Sequence, residues 1–116
     1  MSKLSRTKGH SFERSTAIAL RHIFPQAKRQ LEYQIDDCLG VDIANAGPFR
    51  IQCKKTRKYV SINTIEEIQC SPELGDVPVL VASADHKPAM AVLPFEDFVR
   101  LLEKAYGLVP LPSKPD

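Results

Sequence analysis

The stretch Phe49-Arg50-Ile51-Gln52-Cys53-Lys54 constrains this chain more than any other, because apolar and polar residues alternate along it. Successive side chains of a β-strand point to opposite faces. A strand here sends Phe49, Ile51 and Cys53 to a core and Arg50, Gln52 and Lys54 to the other side. A second run, Val77 to Ala84, is almost continuously apolar and rich in β-branched residues. That is the pattern of a central strand covered on both faces.

The rest of the chain is read around these two strands. His10 to Ile23 has the period of a helix, with Phe12, Thr16, Ala19, Leu20 and Ile23 forming its stripe. Ser11 stands near its N-cap, and Pro25 bars its continuation. Ala27 to Glu32 and Val41 to Ala44 are expected strands, separated by a polar loop from Tyr33 to Gly40. Asn45-Ala46-Gly47-Pro48 is turn chemistry. Ser61 to Ile68 is expected to be a helix with Ile62, Ile65 and Ile68 turned inward, ended by Pro72 and Gly75. Asp85 to Pro88 turns the chain, Ala89 to Leu93 is a further strand, and Phe95 to Tyr106 is a last helix. The order α-β-β-β-α-β-β-α predicts an α/β fold, a mixed five-stranded sheet with helices packed on it. The 116 residues suffice for one domain. Its core is expected at about residues 6–106, with 107–116 as a loose tail.

Several function classes recede at this point. No run approaches the ~18 apolar residues of a membrane span. No apolar stretch succeeds the basic N-terminal segment, so the expected location is the cytoplasm. Cys38, Cys53 and Cys70 form no CxxC pair, which fits reduced thiols better than a zinc site.

Charge points the other way, toward a polyanion. Of 16 Lys and Arg residues, seven fall in the first thirty positions, opposed only by Glu13. Five more lie between Arg50 and Lys58, with no acid among them. The acids gather in Glu66, Glu67, Glu73, Asp76, Asp85, Glu96 and Asp97. Such segregation fits a basic face for nucleic acid and an acidic face turned away.

The chemistry-bearing residues sit on the predicted strands. Asp42 ends a short strand, and ten positions later Gln52 shares a face with Lys54. Glu13 is on the first helix, one step off its apolar stripe. If the strands are neighbours, Asp42, Gln52 and Lys54 can converge at one end of the sheet. Oxygen donors of this kind suit Mg²⁺. The metal would polarise a phosphoryl oxygen and acidify a bound water. A lysine beside the phosphate stabilises developing negative charge.

Gly40-Val41-Asp42-Ile43, then Phe49-Arg50-Ile51-Gln52-Cys53-Lys54, resembles the core of the PD-(D/E)XK nucleases. Upstream, Lys8-Gly9-His10-Ser11-Phe12-Glu13-Arg14 resembles the first-helix motif of archaeal-type Holliday junction resolvases. The resemblance covers roughly residues 6 to 100. It implies a restriction-endonuclease-like fold and a homodimer that makes paired symmetric cuts in four-way DNA junctions. Mg²⁺ is the implied cofactor, with Mn²⁺ as a substitute. By the same resemblance Asp42 is a metal ligand, Lys54 the catalytic lysine and Glu13 a further acid near the metal. Gln52 occupies the position of the second acidic ligand. Arg6, Lys8, His10, Arg14, Arg29, Lys55, Arg57 and Lys58 are the expected DNA contacts.

The chain departs from the pattern at three places. Val41 stands where a proline is common. The Tyr33–Gly40 loop has no serine to match one present in some resolvases. Gln52 supplies a neutral amide where the family has a carboxylate, so weaker metal binding and reduced cleavage are expected. Two alternatives stay open: another nuclease of the superfamily (nicking, repair or restriction-type), and a non-catalytic DNA-binding module. Each residue also has an ordinary role: Asp42 in a turn, Gln52 and Lys54 on an exposed strand face, Glu13 in a surface ion pair.

Overall fold

A computed structural model describes residues 3–30 and 40–107, with side chains from residue 9 onward in the first segment. Strand β1 (Lys28–Arg29), β2 (Ile43–Ala44), β3 (Phe49–Thr56), β4 (Val77–Ala84) and β5 (Met90–Val92) form one sheet in that spatial order. β1, β2 and β3 pair antiparallel, β3 and β4 parallel, and β4 and β5 antiparallel. The expected α/β fold with a mixed five-stranded sheet is therefore observed. Among the described residues no helix is long and apolar enough to cross a membrane.

β4 coincides with the apolar run from which it was expected. β3 extends two residues past the alternating pattern, to Thr56, because β4 supplies a parallel partner along its whole length, from Phe49↔Val77 to Thr56↔Ala84. A ladder is propagated by backbone pairing, which is indifferent to where side-chain alternation stops. β1 and β2 are shorter than expected, with two residues each. Residues 31 and 32 of the predicted first strand, the loop residues 33–39 and the tail from 108 lie outside the described residues.

Helix α1 (Lys3–Leu20) begins seven residues before His10. Gly9 lies inside it. A single helical glycine costs about 1 kcal/mol relative to alanine, too little to stop a helix. Ser11 is thus mid-helix and caps nothing; its carbonyl instead accepts a bond from the Ser15 hydroxyl at 3.0 Å. The helix ends at Leu20, so Ile23 leaves the stripe and is 75% exposed. Ala17 is buried, with Phe12 and Leu20 packed beside it.

This helix covers one face of the sheet. Ala17, Ala27, Ile43, Ala46, Ile51 and Cys53 form the core there, with Phe24, Phe49, Val79 and Val81 against them. On the other face Leu80 and Ala82 are buried in register with Gln52 and Lys54. That face is approached by the crossover between β3 and β4. Its helix is 3₁₀, Ile62–Glu67, rather than α, and the Ser61 hydroxyl caps it by accepting from the Asn63 N–H at 3.1 Å. Ile62 is exposed and only Ile68 is buried, so the segment enters the core by its C-terminal end. Helix α2 (Phe95–Ala105) has no buried residue, and Phe95 and Phe98 are exposed on it.

Candidate metal and phosphate site

Asp42 is held at the point where the β2–β3 ladder breaks. Its carbonyl accepts from the Gln30 N–H at 2.7 Å, and its N–H donates to the Ile51 carbonyl at 2.7 Å. The second bond is out of step with the Ile43↔Ile51 pairing. The strands part here, and the Asp42 carboxylate, not a backbone carbonyl, accepts the next N–H of β3, that of Cys53, at 2.7 Å. Charge-assisted bonds of this kind are short and strong. They place the carboxylate beside the Gln52–Cys53 peptide.

The chain reaches this point through a close backbone approach. Gly40 has φ +73°, and a Cβ there would lie 2.3 Å from the Glu67 carbonyl oxygen. Only glycine combines that dihedral with that contact. The segment leading to Asp42 is thereby laid against the end of the 3₁₀ crossover.

Gln52 differs from its expected exposure. It is 4% exposed, because the crossover closes over its face of β3. Its Nε2 donates to Glu67 Oε1 at 3.3 Å. The reverse amide orientation would set two oxygens against each other. Gln52 Oε1 is buried and has no hydrogen-bond partner among the described residues. An unpaired buried acceptor costs about 1–3 kcal/mol, so in native structures such an atom takes a water, an ion or another donor as its partner. Lys54, two residues on, places its ammonium 3.8 Å from the same Glu67 oxygen.

Glu13 approaches from the opposite side of β3. Its carboxylate meets the Arg29 guanidinium at 3.6 Å, and both side chains are largely covered. It faces the sheet rather than standing beside the helix's apolar stripe. Cys53 lies on this side, and its thiol is pushed up to about 12 by burial, with the charges of Asp42 and Glu13 adding to the shift and a bond with Thr16 opposing it. Cys53 is therefore a protonated core residue, as its place in the alternation implied. The four sequence-derived residues do not share one face. Gln52 and Lys54 lie on one, Glu13 on the other, and Asp42 stands at the parted edge between them.

The donor set suits a hard cation. Asp42 offers a carboxylate fixed by its neighbours, and Gln52 offers an orphaned amide oxygen. Among the described residues no three His, Cys, Asp or Glu side chains group as a metal site. Arg14, Lys55, Arg57 and Lys58 are exposed, His10 is half-buried, and the side chains of Arg6 and Lys8 lie outside the described residues.

Comparison with protein-family models, with curated proteins and with solved structures finds no match for this chain.

Glu67 is the residue that sequence reasoning misplaced. Its charge assigned it to an acidic face turned away from the site. The structure instead sets its carboxylate between Gln52 and Lys54. The available signal was the glycine at position 40, whose demand for close backbone approach had no partner in sequence.

Proposed function

We propose that the chain is a metal-dependent DNA endonuclease acting on branched DNA, with the four-way junction as substrate and a restriction-endonuclease-like fold. The observation that carries this reading is an Asp42 carboxylate fixed on the Cys53 N–H, together with a buried, unpaired oxygen on the preceding residue, Gln52, and Lys54 two residues further along the strand. The resemblance of the sequence around these residues to the PD-(D/E)XK core supplies the reaction class.

Asp42 and the Gln52 side-chain oxygen would hold Mg²⁺ or Mn²⁺; Glu13, which the resemblance offered as a further acid, lies across β3 and is engaged by Arg29. Such an ion, when bound, supplies Lewis acidity at a phosphoryl oxygen and a more acidic water. Lys54 places a positive charge where negative charge grows on the phosphate. Asp42 contributes through rigidity: its backbone and carboxylate bonds hold the donor before substrate arrives. Arg14, Lys55, Arg57 and Lys58, with Arg6, Lys8, His10 and Arg29, would hold backbone phosphates, which position DNA without reading sequence. A two-fold junction calls for a two-fold enzyme. The exposed Phe95 and Phe98 of α2 are candidates for the interface of a homodimer.

The test is cleavage of a four-way junction, a flap and a linear duplex with Mg²⁺ or Mn²⁺, beside Asp42→Asn. Paired symmetric cuts in the junction, lost in Asp42→Asn while binding persists, are the expected result. Preference for a flap or for linear duplex would move the assignment to another nuclease class. The neutral amide of Gln52 favours one rival, a DNA-binding module without catalysis. That rival wins if neither the natural chain nor Gln52→Glu cuts any DNA although both bind it tightly.

A further inference from the structure

We infer that Glu67 is the second carboxylate of the cation site, supplied from the crossover in place of an acid at position 52. The inference rests on the metal-dependent reading above and assigns the residue that completes its charge.

Three observations converge on it. Glu67 Oε1 lies 3.3 Å from Gln52 Nε2 and 3.8 Å from Lys54 Nζ. Its carboxylate therefore stands over the same face of β3 that carries the two motif residues. Gln52 is buried, and its other amide atom, Oε1, is unpaired among the described residues. The amide thus reads as a bridge, donating to Glu67 on one side and presenting an oxygen donor on the other. Gly40 brings the Glu67 backbone against the segment that leads to Asp42, at a distance no side chain tolerates. The Glu67 backbone thus abuts the chain two residues before Asp42, and its side chain meets Gln52.

Its ion pair with Lys54 does not account for such placement as a stabilising device. The Lys54–Glu67 pair is solvent-accessible, with side chains 37% and 58% exposed, and exposed pairs of that kind stabilise little. The same exposure leaves the carboxylate able to turn toward a cation without unpacking the core. Hard divalent cations favour several oxygen donors, and carboxylates supply the charge. Asp42 and Glu67 provide two negative charges, and Gln52 adds a neutral oxygen. Glu66, the neighbour in sequence, makes no ion pair among the described residues and serves as the internal control.

The decisive measurement is Mn²⁺ binding to the full chain without DNA, by calorimetry and by the Mn²⁺ spin-resonance signal. The variants are E67Q, E66Q, D42N and the pair Q52E/E67Q. E67Q should weaken binding by at least the about 10–100-fold lost when an outer partner of a metal site is removed. E66Q should bind as the natural chain does. Q52E/E67Q should recover most of the affinity, because a carboxylate returns to the same place. Junction cleavage with Mn²⁺ should rank the variants in the same order. Natural affinity in E67Q, with D42N impaired, overturns the role of Glu67 and leaves the metal site standing. Absence of Mn²⁺ binding in the natural chain, or D42N binding as the natural chain does, overturns both. Should E67Q prove unstable in a thermal melt, recovery or its failure in Q52E/E67Q decides.

Discussion

The two faces of β3 are both covered, yet they are built for different ends. On one, Ile51 and Cys53 close against Ala17 and Ile43 in a dry core. On the other, Gln52 is as buried as its neighbours but retains an unpaired oxygen, and Lys54 and Glu67 stand around it. The apolar face gains stability from burial. The polar face gives some up by keeping an unsatisfied acceptor. On the proposed reading, the strand divides its labour by alternation alone, with stability on one side and a cation donor on the other. The difference teaches that burial is a poor guide to role; the guide is whether each buried group finds a partner.

Four tests break or sharpen that contrast. The largest effect should come from Ile51→Ala, which leaves a cavity on the dry face. Unfolding in urea should show a loss of about 2–5 kcal/mol. Lys54→Ala is its mirror on the polar face. Junction cleavage should fall about 10²–10³-fold while the melting temperature stays nearly unchanged; equal damage to stability would mean that the division of labour is wrong. Third in size is the pH dependence of stability. The buried Cys53 thiol titrates near 12 against an ordinary 9.0, so between these values the native state holds a proton that the unfolded chain has lost. Stability is then complete below about pH 9 and falls as pH rises above it. Urea midpoints at pH 8 and pH 10.5 should diverge more in the natural chain than in Cys53→Ala. The smallest change belongs to Lys55→Ala and Lys58→Ala, at and just beyond the exposed end of β3. Each should leave stability intact and lower the salt dependence of DNA binding by about 0.9 in the log–log slope if it removes one phosphate contact.

The sequence by itself determined the strands whose side chains announce them. β4 and the alternating part of β3 were legible because periodicity is a local property that burial imposes residue by residue. The Asn45–Pro48 turn was legible too, with Asn45 and Gly47 both at positive φ. Cys53 was correctly expected in the core, and Asp42, Gln52 and Lys54 were found as candidates because motif spacing lies along the chain. Only the tertiary structure decided what surrounds them. Helix α1 ran past its presumed cap because a weak breaker yields to a continuing ladder. The 61–68 segment tightened to 3₁₀ and covered Gln52, and Glu67 came to the site through contact with a glycine twenty-seven positions away. Contacts between distant segments depend on how the chain closes in space, and a one-dimensional pattern carries no record of that closure.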